Sequence, residues 1–164
     1  MTDISTPDPA GKIWKLAKSI RIAMLTTRHD GGLVARPMHA IIPGDGGVVW
    51  FITERHSAKV ADASHDDVAL LTFSNGMDGD HVVMTGTVVP DDDRAKLASL
   101  WNPGATIYFP KGPADAAATL LKFVPAKAEY WTGGSGIVAS VLDFARAKIT
   151  GERPDTGNHE SISM

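Results

Sequence analysis

Short apolar and β-branched runs, most of them ended by a turn of glycine, proline, asparagine or aspartate, recur from Ile20 to Trp131 and constrain the fold more than any other feature. They predict strands at about Ile20–Thr27, Leu33–Ile42, Val48–Thr53, Val68–Ser74 and His81–Val89. Thr119–Val124 and Lys127–Trp131 read as one strand interrupted at Pro125, which implies an edge position or a bulge. The turns include His29-Asp30-Gly31-Gly32 and Pro43-Gly44-Asp45-Gly46-Gly47, the second joining its strands as a loose hairpin. Many strands with short turns and few helices predict a mainly β fold, a closed or nearly closed antiparallel barrel with flanking helices.

Helix signals fall at few points. Asp8-Pro9 supplies an N-cap and a proline at the first helical position, and Ile13, Trp14 and Ala17 follow at helical spacing. Ser57–Ser64 reads as a short helix, and Asp91–Trp101 as another with acidic residues at its front and Leu97, Leu100 and Trp101 on one face, stopped by Asn102-Pro103-Gly104. Val138, Val141, Leu142, Ala145 and Ile149 predict an amphipathic helix ended at Gly151. The expected organisation is a flexible segment over 1–9, a single domain over 10–151 and a polar, flexible tail over 152–164.

Composition excludes several classes of function. Net charge is -3, which disfavours a nucleic-acid partner. With no cysteine there is no disulfide, thiolate metal site or cysteine nucleophile, and a cytoplasmic location fits that usage. No run of about 18 apolar residues occurs, so no membrane span is expected, and Met1 to Gly11 lacks the apolar core of a signal peptide. The six histidines show no metal-ligand spacing, so no metal is expected. Gly133-Gly134-Ser135-Gly136 is not a nucleophile elbow, because Ile137 stands where the last glycine would be.

Chemistry gathers instead between Arg36 and Lys59. Arg36-Pro37-Met38 lies on one predicted strand, Trp50-Phe51-Ile52-Thr53 on the next, and Ser57-Ala58-Lys59 opens a helix. A helix start offers unpaired N–H groups and the positive end of its dipole to an anion. Lys59 adds a mobile point charge and Arg36 a planar fork. The combination suggests a phosphorylated small molecule held against a sheet.

These motifs, together with Val83-Met84-Thr85-Gly86-Thr87-Val88, Phe109-Pro110-Lys111-Gly112-Pro113 and Ala128-Glu129-Tyr130-Trp131, resemble the pyridoxamine 5'-phosphate oxidase-like FMN-binding split-barrel family, in its general stress protein branch. The resemblance spans roughly Ile13 to Trp131 and implies a homodimer with FMN at the subunit interface; FAD or the deazaflavin F420 are the alternative cofactors. It implies that Arg36, Ser57 and Lys59 hold the FMN phosphate. The backbone of Pro37-Met38 and Phe51-Ile52-Thr53 would run along the ribityl chain and ring, with Trp131 or Trp101 reaching the ring from the partner. Activity is expected to be flavin-dependent oxidoreduction of an unspecified small molecule. The alternatives are a non-catalytic flavin-binding stress or sensor protein and an F420-dependent reductase. In the oxidases proper the arginine-bearing strand ends in a substrate-binding lysine, where this chain has Ile41, and a C-terminal strand bearing arginine and histidine is expected to be missing here. The resemblance therefore implies flavin binding rather than pyridoxamine-phosphate oxidation, and it assigns no general acid or base.

Overall fold

The computed structural model describes residues 8–133 and 158–164. The chain opens with helix α1 (Pro9–Ile20), whose Asp8 carboxylate accepts from the Gly11 amide at 3.0 Å, as an N-cap should. Ile13, Trp14 and Ala17 are its buried face. Then come β1 (Ile22–His29), β2 (Gly32–His39), β3 (Val49–Glu54), α2 (Ala58–His65), β4 (Val68–Asn75), β5 (Asp80–Asp91), α3 (Arg94–Leu100), α4 (Pro103–Tyr108), β6 (Ala118–Thr132) and β7 (Asn158–Ser163). All pairings are antiparallel, in the order β2-β1-β4-β5-β6-β3, with β7 also on β6. The barrel expected from the strand pattern is thus present, with helices flanking it. The amphipathic helix expected over Val138–Ile149 lies outside the described residues.

The seam of the barrel falls between β2 and β3. They do not form the hairpin expected from Pro43 to Gly47: β2 pairs with β1, and β3 with β6. Their only joint is the bridge Ile41/Trp50, where the two residues exchange N–H···O bonds of 2.9 and 2.8 Å. The strand alternation explains what lies beyond it. Ala40 donates to Arg21 on the β1 side, so His39 and Pro37 turn their backbone groups away from β1 and into the gap. Trp50 points at Ile41, so Ile52 and Glu54 turn theirs away from β6 and into the same gap. Pro37 has no N–H to offer there.

Leu25, Leu71, Phe73, Met84, Phe51, Leu121 and Phe123 are fully buried inside the barrel, as alternation along the strands requires. A smaller cluster joins Trp50, Leu97, Leu100, Phe109 and Leu120 beneath α3. Pro125 does not end β6. The register against β5 shifts between Thr85 and Gly86, and Gly86 sits against the Val124 carbonyl and Pro125, where a side chain would collide with backbone.

Three local expectations are corrected. Asp91 closes β5 rather than opening a helix; α3 begins after Asp93, whose carboxylate caps Lys96 N–H at 3.0 Å. Asn102-Pro103 does not merely stop α3 but starts α4, with Asn102 accepting from Ala105 N–H, the same code as Asp8-Pro9. Within the segment 152–164, expected as a flexible tail, Asn158–Ser163 is instead strand β7, and a C-terminal strand carrying His159 therefore exists. β7 fills the edge of β6 that β3 leaves open; Ile162 packs on the core, the Tyr130 hydroxyl donates to Glu160 at 2.9 Å, and His159 stacks on Trp131 at 4.6 Å.

Removing residues 158–164 should therefore destabilise the protein. The lost apolar burial and strand hydrogen bonds are together worth about 2–3 kcal/mol, or a fall of about 5–10 °C in Tm. Calorimetry on the shortened chain checks this, and an unchanged Tm would mean β7 contributes nothing.

Candidate functional site

A cavity of about 1060 Å³ occupies the seam. Of the residues singled out in the sequence, Pro37, Met38, Ile52, Thr53 and Lys59 line it, and His39 and Glu54 join them. Continuing the register from Ile41/Trp50 sets His39 across from Ile52 and Pro37 across from Glu54. Thr53 is buried beside the cavity and its hydroxyl makes no hydrogen bond among the described residues.

The cavity has two unlike ends. Glu54, Lys59 and the start of α2 form one. Four residues back along β3, about 13 Å away, the other end carries Ile41, Phe109, Ile107 and Tyr108, next to the Trp50 cluster. Ile107 and Tyr108 are 78% and 81% exposed on α4, an unusual display of apolar surface at a cavity rim. The wall behind α4 is fixed by Arg94, which donates to the carbonyls of Pro113, Asp115 and Ala118 at 2.7–2.8 Å.

Ser57 is the N-cap residue of α2, but its hydroxyl turns back to the Glu54 carbonyl at 2.8 Å instead of capping the helix. The first amides of α2, on Ala58 and Lys59, are thus left without an intrachain partner among the described residues. Burial and the neighbouring Arg36 guanidinium both push the Lys59 ammonium below the ordinary lysine value, with Glu54 opposing them. Two cations are therefore close together at this end.

Arg36 does not itself border the cavity. It is 21% exposed, with Nη1 donating to Thr27 Oγ1 and Nη2 to Asp62 Oδ2, both at 2.9 Å, and Asp62 lies one helical turn after Lys59. Asp62 is only 8% exposed, and its other oxygen meets His29 Nδ1 at 2.7 Å. Burial would raise the Asp62 carboxyl, but hydrogen bonds from His29, Arg36 and Thr27 together hold it below the usual carboxylate range. The hydrogen bond to Asp62, then its charge, raises His29. Phe51 turns its side chain wholly into the core and brings only backbone, bonded to β6. Trp131 lies outside the cavity, stacked on His159, and Trp101 packs on Phe109 with its indole N–H on Thr106. Arg55 is taken by Asp92 and the Ala116 carbonyl. Sequence reasoning missed Asp62 and the α4 rim. Asn102-Pro103 signalled the rim, but nothing local signalled Asp62.

An antiparallel barrel open along one seam, with a ligand-sized cavity in it, defines a split-barrel protein. The profile of the family described as pyridoxamine 5'-phosphate oxidase like matches residues 8–155, and the chain belongs to that family. It is 27% identical to Protein bli-3 of Neurospora crassa over 168 residues, covering 96% of this chain and 80% of that protein. A candidate general stress protein 26 from Jannaschia sp. CCS1 superposes with a TM-score of 0.75 at 27% identity, covering 94% of this chain and 96% of that one. A general stress FMN/FAD binding protein from Xanthomonas citri superposes with a TM-score of 0.68 at 32% identity, covering 78% and 91%. Among the described residues no helix is long and apolar enough to cross a membrane, and no group of three or more potential metal-ligating side chains occurs.

The Asp62 cluster gives stability a pH signature. His29 is raised in the fold, so its contribution is full below the ordinary imidazole value of about 6.5 and is lost as pH rises through the raised value. Asp62 is depressed, so its contribution is full above about 3.9 and is lost as pH falls through the depressed value. Tm against pH should fall on both flanks, and His29→Asn should flatten the neutral-to-alkaline flank while leaving the acid flank. An unaltered alkaline flank in the variant would remove His29 from the account.

Proposed function

We propose that the chain binds FMN in the seam between β2 and β3, as a cytoplasmic homodimer with the cofactor at the subunit interface, and acts as a flavin-dependent oxidoreductase on a small molecule. The observation that carries this is the gradient along the cavity. One end offers Lys59, the nearby Arg36 and the free amides of α2, with Glu54 beside them; the other offers an apolar wall of Ile41, Ile107, Tyr108 and Phe109. A ligand with a phosphate at one end and an apolar ring at the other matches that order, and an anion held at Lys59 relieves its repulsion with the nearby Arg36. The unpaired edge groups of His39 and Ile52 suit the polar rim of a flavin ring and its ribityl hydroxyls. The Xanthomonas citri relative, named as an FMN/FAD binding protein, supports the same reading.

A second copy is the natural cover for Ile107, Tyr108 and Ile22, which are half or more exposed around the cavity. Trp131 shares an outward row with Ile22, His81 and His159 across the sheet, on a face that a partner's cofactor could reach. A bound flavin supplies electron and hydride transfer; the chain holds the phosphate, seats the ring and excludes water.

Losing one charged hydrogen bond to the phosphate is worth about 1.5–3 kcal/mol, so Lys59→Ala should weaken FMN roughly 10- to 150-fold. Riboflavin, which lacks the phosphate, should bind the variant as it binds the wild type. Fluorescence titration of both ligands is the measurement. Equal FMN affinity in the variant and the wild type would remove the phosphate from this end of the cavity.

A further inference from the structure

Asp62 is the only buried charged residue among the described residues, and nothing in the barrel core requires it. Its surroundings are all donors. Arg36 Nη2 lies at 2.9 Å and the Thr27 hydroxyl at 3.2 Å from Oδ2, and His29 is on Oδ1. Thr27 in turn accepts from Arg36 Nη1 at 2.9 Å, so Arg36, Thr27 and Asp62 close a three-membered ring. Both terminal nitrogens of Arg36 are thereby pinned. Of the five guanidinium N–H groups two are used and three stay available.

Lys59 sits one turn earlier than Asp62 on α2 and borders the cavity, while Asp62 and Thr27 do not. A flexible arginine beside a half-buried lysine would swing away from it, since like charges repel and nothing would hold the side chain. A buried carboxylate on α2 removes that freedom before any ligand arrives. It also offsets one of the two charges, so that the pair can coexist in the empty protein.

We infer that Asp62, with Thr27, is a positioning residue. It does not touch the ligand, but fixes the Arg36 guanidinium beside Lys59 and so sets the preference of the cavity for a phosphorylated over an unphosphorylated flavin. This rests on the FMN reading above. The arrangement is preorganisation: the side-chain entropy of Arg36 is lost on folding rather than on binding.

The test is the ratio of riboflavin to FMN dissociation constants in the full-length protein, read by fluorescence titration for the wild type, Asp62→Asn, Thr27→Val, Arg36→Ala and the double variant Arg36→Ala/Asp62→Asn. The expected result is a wild-type ratio well above one. Asp62→Asn should lower it about tenfold and Thr27→Val several-fold, with riboflavin affinity unchanged in both. In the Arg36→Ala background Asp62→Asn should lower it no further, because the coupling runs through Arg36. Thr27→Val alters no charge and keeps side-chain volume, so it carries the test if Asp62→Asn fails to fold. Equal losses for FMN and riboflavin would make Asp62 merely structural and overturn the inference. A ratio that rises in Asp62→Asn would show instead that the carboxylate holds Arg36 back, and would also overturn it. A wild-type ratio near one would overturn the FMN reading and this inference together, whereas a high wild-type ratio lost in Arg36→Ala but kept in Asp62→Asn and Thr27→Val would overturn this inference alone.

Discussion

Among the described residues, two backbone hydrogen bonds between Ile41 and Trp50 are all that join the two ends of the sheet. With none, β2 and β3 would be free edges of an open sheet. With a full ladder, the barrel would close and no seam would remain. The single bridge fixes the distance between the strands at one point and lets them part beyond it. The cavity, its polar backbone edges and its two unlike ends all follow from that spacing.

The energetic support for the seam comes from elsewhere. β3 is anchored on its other side by six residue pairs with β6, and Phe51 secures it in the core. β2 is anchored by eight pairs with β1. Arg36 adds a tie from β2 to α2 through Asp62, and Arg94 ties the loop before β6 to α3. The walls of the cavity are thus held from behind. This suits a site that must keep its shape without contacts across the gap.

Much of this was legible in the sequence because it is local. Strand runs, turn glycines, the Asp8-Pro9 start and the Ser57-Ala58-Lys59 helix opening each depend on a few neighbouring residues. The family likeness then ordered Pro37, Met38, Ile52, Thr53 and Lys59 around one cavity, where the fold places them. What was not legible depends on pairing at a distance. Asn158–Ser163 is polar and has one apolar residue facing inward, Ile162; it is a strand because β6 offers an open edge there, not because of its own pattern. Asp62 carried no local signal, since its partners are 26 to 35 residues away. Arg36 was legible as a cation on the strand before Lys59, but its engagement with Thr27 and Asp62 needed three elements to meet.

An exposed strand edge is a template for a second chain, and a barrel left open carries two of them. Here both edges face each other across the cavity rather than facing outward. Pro37 removes a donor from the β2 edge opposite Glu54, one rung beyond the His39/Ile52 position that follows Ile41. A rung without that hydrogen is a weaker place for the seam to close and a poorer template for a strand from a neighbouring molecule.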